Sequence, residues 1–192
     1  MITGIGQGYI QTTPLQLCLM TAQIANGGYT IEPKIIANNM PLSFLEAKKN
    51  MNTKNLINPN SQLVRDRKNL EVVQKAMFSS TNEIAGTSYR SRIDDPKYQF
   101  AGKTGTAQVK RISKRERELD LKIDQIPYND RDHALYVAFG PYKNPRYALS
   151  VVIEHGGSGS STAAPIAKKL FKLILDRHEI REKIRTKKLI KI

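Results

Sequence analysis

The sequence predicts an α+β fold: an antiparallel sheet covered by helices. Two observations carry this. Segments with helical apolar spacing dominate the first half of the chain, and three β-rich runs followed by one amphipathic segment dominate the second. A third observation fixes the strand direction, because the last two β-rich runs are joined by a turn too short for a parallel crossover.

The first helix begins at Thr13-Pro14-Leu15-Gln16, where Thr13 can cap, Pro14 suits the first helical position and Gln16 completes a capping box. Leu15, Cys18, Leu19 and Ala22 fall on one side, and Leu17, Met20 and Ile24 on another, which predicts a central, buried helix. Asn26-Gly27-Gly28 ends it. From Gly28 to about Asn60, β-type residues at Tyr29 to Ile31 give way to prolines and asparagines, the pattern of a short strand followed by long connections. Leu70, Val73, Ala76 and Met77 then predict a second helix, broken by Ser79-Ser80-Thr81-Asn82.

Tyr98 to Val109 reads as a strand interrupted by Gly102 and Gly105, and Lys110 to Asp132, dense in charges of both signs, reads as a solvated excursion. Ala134 to Phe139 and Tyr147 to Ile153 form the predicted hairpin, both apolar enough for mid-sheet positions. After the Gly156 to Ser160 loop, Ser161 or Thr162 can cap a closing helix whose stripe Ile166, Leu170, Leu173 and Ile174 is expected to cover the sheet. Residues 1–176 thus form one domain, and residues 177–192 a basic tail that extends the helix beyond the core.

Composition bounds the function. In 192 residues, 31 Lys and Arg against 17 Asp and Glu give a net charge of +14, which biases the chain toward anionic partners. The lysines are dispersed and no nucleic-acid recognition motif is present, so nucleic acid is not an expected partner. The lone Cys18 has no partner for an internal disulfide and reads as a small buried hydrophobe. No apolar run spans a bilayer and no signal peptide is recognisable, so the chain made alone is expected in the cytoplasm. His133, His155 and His178 are widely separated with no Cys pairing, and Gly4, Gly6 and Gly8 lack the dinucleotide spacing, so neither a metal nor any cofactor is expected.

The sharpest motif is Lys103-Thr104-Gly105-Thr106 on a predicted strand, since Lys-Thr-Gly is one of three motifs shared by β-lactamases and penicillin-binding proteins. Alone, such a triplet in a basic chain is an ordinary strand edge or turn. Its context is what gives it weight. Gly4 to Leu17 with Ala25-Asn26-Gly27-Gly28, then Ala101 to Gln108, then Asp132-His133-Ala134 with Ala138 to Tyr142, and finally Glu154 to Gly159 through Ala163 to Ala167 form four blocks in order.

These blocks resemble the penicillin-binding D,D-transpeptidases, most closely the class B enzymes of the elongation type, penicillin-binding protein 2. The resemblance implies part of a β-lactamase/transpeptidase-like fold. It implies that Lys103 holds the terminal carboxylate of a substrate peptide and assists proton movement, and that the hydroxyls of Thr104 and Thr106 bind that carboxylate. The Thr106 N–H would form half of an oxyanion hole, and Gly105 would admit the acyl chain against the strand. The implied ligands are the peptidoglycan stem peptide and β-lactams, and the implied location of the whole enzyme is the inner membrane, facing the periplasm.

The chain departs from the family in one respect. Acylation needs a serine with a lysine three residues on, one helical turn away. Ser43, Ser61, Ser79 and Ser113 are followed at that spacing by Glu46, Val64, Asn82 and Glu116, and no other serine meets the requirement. Ser80-Thr81-Asn82 has the letters of the family's Ser-x-Asn motif but follows the Gly-Gln-Gly block instead of preceding it, and reads as a cap or turn. The expectation is a fragment that starts downstream of two catalytic motifs, inactive alone and paired with an upstream half through its first helix and sheet edge. The alternative is a non-catalytic remnant or interaction module of the cell-elongation machinery.

Overall fold

The structure, a computed structural model, describes residues 10–33, 62–110 and 121–189. The Gly4 to Tyr9 block and most of the expected connection from Gly28 to Asn60 lie outside the described residues, as does the middle of the charged excursion.

Helix α1 is Pro14–Ala25, and the capping box forms as its sequence requires: Gln16 N–H donates to Thr13 Oγ1 and Thr13 N–H to Gln16 Oε1. Gly27 and Gly28, at φ of 89° and 88°, turn the chain out of the helix in a conformation that disfavours any side chain. The expected strand is reduced to an isolated antiparallel bridge between Tyr29 and Gln62. Helix α2 is Arg67–Asn82, started by Asp66, whose carboxylate accepts from the Lys68 N–H. It runs through Ser79-Ser80-Thr81-Asn82 instead of breaking there, because tertiary bonds hold that last turn: Asn82 Nδ2 donates to the carbonyls of Phe78 and Phe100.

The described residues contain one three-stranded antiparallel sheet in the order β1 (Ala101–Ala107), β2 (His133–Gly140), β3 (Tyr147–Ile153). Thr104 pairs with Tyr136 and Tyr136 with Val151, which fixes the register across all three strands. β2 is central as expected, whereas β3 lies at the edge of this sheet. The last helix, α3, is Ala164–Leu189, entered through a π-helical turn at Gly159–Ala163, so the predicted caps Ser161 and Thr162 lie inside the turn instead of starting the helix. The helix continues past residue 176 without interruption.

Alternation along the strands divides the core between two faces. On one face Ala134, Tyr136, Ala138, Leu149 and Val151 pack against Ala164, Ala167 and Phe171 of α3, with Phe171 stacked on Phe100 at 4.9 Å. On the other, Phe139 and Val137 meet Met77 and Phe78 of α2 and Ile24 of α1. Helices therefore cover both sides of the sheet, as the α+β reading requires.

Two burial expectations are corrected. The closing helix turns Ala164, Ala167, Phe171 and Leu175 to the sheet and leaves Ile166, Leu170 and Leu173 exposed, the last at 59%. Both sets have helical spacing; the alanines win because a side chain of one carbon lets the helix axis approach the strands, while Phe171 fills the remaining depth. Helix α1 is not central among the described residues. Thr21 is its one buried residue, Cys18 reaches the sheet through the Ala148 carbonyl at 3.5 Å, and Leu15 and Met20 stay about half exposed. Burial still pushes the Cys18 thiol pKa up.

The excursion before β2 is more ordered at its end than its composition suggests. Short 3-10 turns form at Ile123–Gln125 and Tyr128–Asp130, tied down by Lys110 to Asp130 at 2.8 Å and by Arg131 Nε to the Ile126 carbonyl at 2.9 Å.

Candidate active site

Strand β1 presents the Lys-Thr-Gly-Thr run along the side of the sheet away from β2. The Gly102 carbonyl accepts from Thr81 Oγ1 at 3.5 Å and the Thr104 carbonyl from Lys103 Nζ at 2.8 Å, so both carbonyls point outward. Alternation in an antiparallel ladder then sends the N–H and carbonyl of Thr106 to the same edge. Lys103 and Thr106 are exposed, and Thr104 and Gly105 half-exposed. Lys103, opposite Val137 in the ladder, stands on the face covered by α1 and α2. The four residues singled out in the sequence thus occupy one accessible strand edge.

An open cleft of about 630 Å³ lies beside it, with Met20, Ile24, Val73 and Met77 as an apolar floor and Ser80, Thr87 and Lys103 as its polar wall. That wall is a chain of hydroxyls. Ser80 Oγ lies 3.2 Å from Thr87 Oγ1, which lies 3.3 Å from Thr104 Oγ1, which in turn accepts from Lys103 Nζ at 3.2 Å. Thr87 is held in place by its neighbours: Gly86 N–H donates to the Glu83 carbonyl, and both Ser88 N–H and Ser88 Oγ donate to the Ser80 carbonyl.

Beneath β1, the Tyr136 ring crosses Gly102. A Cβ built on Gly102 would stand 2.3 Å from the phenol oxygen, so glycine is required here by packing. The Tyr136 hydroxyl, fully buried, lies 2.9 Å from Thr81 Oγ1 and 3.0 Å from Ser88 Oγ. Burial pushes the phenol pKa up, against a smaller opposing effect of the Ser88 and Thr81 hydrogen bonds. This buried network joins the end of α2, the Gly86–Ser88 turn and the strand pair, and so fixes the backbone on which Lys103 and Thr104 stand.

Sequence reasoning missed Ser80, Thr81, Thr87 and Tyr136. Ser80 and Thr81 lie in a segment that reads as a helix break or turn, Thr87 in one with no local signal, and only their approach to β1 gives them a role. The fold also brings His133 and His155 together, their rings 4.9 Å apart, with the His155 N–H donating to His133 Nδ1 at 2.9 Å. Among the described residues no group of three or more His, Cys, Asp or Glu is placed to hold a metal ion.

A helix-covered antiparallel sheet with Lys-Thr-Gly-Thr on its outer strand is the combination that penicillin-binding transpeptidase domains and β-lactamases share. The chain superposes on penicillin-binding protein 2 of Helicobacter pylori, solved in complex with MreC, with a TM-score of 0.68 at 29% identity over 91% of this chain and 27% of that one. It superposes on penicillin-binding protein 2 of Pseudomonas aeruginosa, solved in complex with WCK 5153, with a TM-score of 0.61 at 35% identity over 87% of this chain and 30% of that one. In sequence it is 34% identical over 174 residues to the peptidoglycan D,D-transpeptidase MrdA of Salmonella typhimurium. The chain belongs to the family of the penicillin binding protein transpeptidase domain, whose model matches residues 1–172. It covers 26% of the length of the Salmonella protein.

Proposed function

We propose that this chain supplies the substrate-cradling half of a peptidoglycan D,D-transpeptidase site, with the acylating Ser-x-x-Lys pair contributed from outside these 192 residues. The observation that carries the reading is the outward edge of β1. An extended peptide can add to this edge as a further strand, its carboxylate meeting the Lys103 ammonium and the Thr104 and Thr106 hydroxyls. The outward Thr106 N–H supports a contribution to the oxyanion hole, because a backbone donor on a packed strand is already oriented before charge develops. Gly105 leaves the strand surface open to a chain lying on it. The apolar cleft beside Lys103 is the space into which a serine and its lysine partner are to be brought.

The relatives' names support the reading without carrying it, since this chain spans about a quarter of their length. Among the described residues no helix is long and apolar enough to cross a membrane. Membrane attachment and elongation-machinery partners belong to the whole enzyme that this reading assumes.

The test is covalent labelling by a fluorescent penicillin, on this chain alone and with a polypeptide carrying the Ser-x-x-Lys half. Label on the partner that depends on this chain, and falls about a hundredfold in rate with Lys103→Ala, is the expected result. Label on this chain alone means a nucleophile of another kind and overturns the proposal. No label in either case leaves the non-catalytic interaction module as the reading.

A further inference from the structure

A second cleft, of about 780 Å³, opens on the other side of Thr87, between the Tyr89–Ser91 turn and the start of α3. Arg90, Lys168, Lys169 and Lys172 line it together with Thr87 and Ser161, and no carboxylate is among its lining residues. None of these four cations makes a hydrogen bond or ion pair with another described residue. Three described cations elsewhere have a carboxylate partner: Arg92 with Asp94, Lys110 with Asp130, and Lys97 with Glu179 further along the same helix.

Such an arrangement works against the fold on its own. Lys168 and Lys172 are one helical turn apart, a spacing at which like charges repel. A bound anion would relieve that repulsion. A single carboxylate, with one charge and two oxygens, is satisfied by one guanidinium. Four cations and two hydroxyls call for a ligand with more charge and more acceptor oxygens.

We infer that this cleft binds a phosphate or pyrophosphate group. Arg90 supplies a planar fork of donors, the three lysines supply charge, and Thr87 and Ser161 supply hydroxyl donors. The group has two sources, a soluble phosphate compound or the headgroup of an anionic lipid. The cleft shares Thr87 with the candidate active site but uses neither Lys103 nor a nucleophile, so the inference stands or falls apart from the transpeptidase reading.

The experiment is lysine acetylation of the full chain read by mass spectrometry, at about 150 mM salt so that diffuse charge effects are screened. It is run with pyrophosphate and, separately, with vesicles of phosphatidylglycerol or phosphatidylcholine. Acetylation of Lys168, Lys169 and Lys172 is expected to fall about tenfold relative to exposed Lys75 and Lys143. Protection by pyrophosphate marks a soluble ligand, and protection by phosphatidylglycerol vesicles alone marks a lipid headgroup. Uniform protection of all lysines, or none under any condition, overturns the inference. In parallel, pyrophosphate binding by K168Q/K172Q is expected to be about tenfold weaker than by the equal-charge control K75Q/K143Q. Equal weakening would show that net charge alone binds the anion and would also overturn it. Should K168Q/K172Q not fold, the footprint on the unaltered chain decides.

Discussion

Replacing Gly102 by alanine tests whether the Lys-Thr-Gly strand is positioned by packing from beneath. The added Cβ would meet the Tyr136 hydroxyl oxygen at 2.3 Å, Cζ at 2.5 Å and Cε1 at 2.7 Å, all inside any tolerable contact. The ring cannot retreat, because it is fully buried, set edge-on to Phe100 at 6.5 Å and held by Thr81 and Ser88. Overpacking of this kind costs about 3 kcal/mol, which in a chain of this length lowers the melting temperature by roughly 6 to 12 °C. Tyr136→Phe removes only the hydroxyl. Its two buried partners keep other acceptors, Thr81 at the Met77 carbonyl and Ser88 at the Ser80 carbonyl, so it costs about 1 to 2 kcal/mol. The double variant discriminates between explanations. Two ring carbons still collide with the alanine, so G102A/Y136F is expected to remain at least as unstable as G102A, whereas G102A/Y136L, with a shorter side chain, recovers part of the loss. The assay is thermal denaturation by circular dichroism, all variants measured in the same state of assembly. A G102A variant that melts within about 2 °C of the parent would refute the reasoning.

Gly159→Ala is expected to be more severe than a typical surface change, because its Cβ would fall 2.4 Å from the Leu135 carbonyl and 2.5 Å from that of Gly105, backbone atoms that cannot swing away; a loss of about 3 kcal/mol or failure to fold is the expected outcome of the same denaturation assay. Thr87→Val takes away the hydroxyl between Ser80 and Thr104 with little change of shape, and is expected to slow penicillin labelling of the reconstituted site about tenfold while leaving the melting temperature nearly unchanged. Tyr98 donates to Asp176 at 2.5 Å, and that hydrogen bond, which favours the protonated phenol, is the main cause of its raised pKa. Its contribution is therefore present below the ordinary tyrosine pKa of about 10 and lost as pH rises through the higher folded value, so a stability titration of Tyr98→Phe should lack that part of the alkaline slope.

Much of the fold was legible because its signals are local. The Thr13 cap, the Asn26-Gly27-Gly28 stop and the hairpin across Gly140 to Arg146 depend on residues within a few positions of one another, and each formed as read. The Lys-Thr-Gly strand was equally local, and the family followed from the order of the blocks. The lack of any Ser-x-x-Lys pair is a property of the sequence itself.

What the sequence could not decide was which of two equally periodic faces a helix buries. Ile166, Leu170 and Leu173 are the more hydrophobic stripe of α3, yet Ala164, Ala167 and Phe171 face the sheet, because close approach and ring stacking depend on the shape of a partner distant in the chain. The same holds at the site. Lys103 and Thr104 were named by sequence, but the Ser80–Thr87–Thr104 hydroxyl chain and the Tyr136 ring beneath Gly102 exist only once α2, its following turn and two strands are assembled. Periodicity and capping are written in neighbouring residues, whereas the partner of a buried hydroxyl and the reason for a strand glycine are set by atoms that folding alone brings within reach.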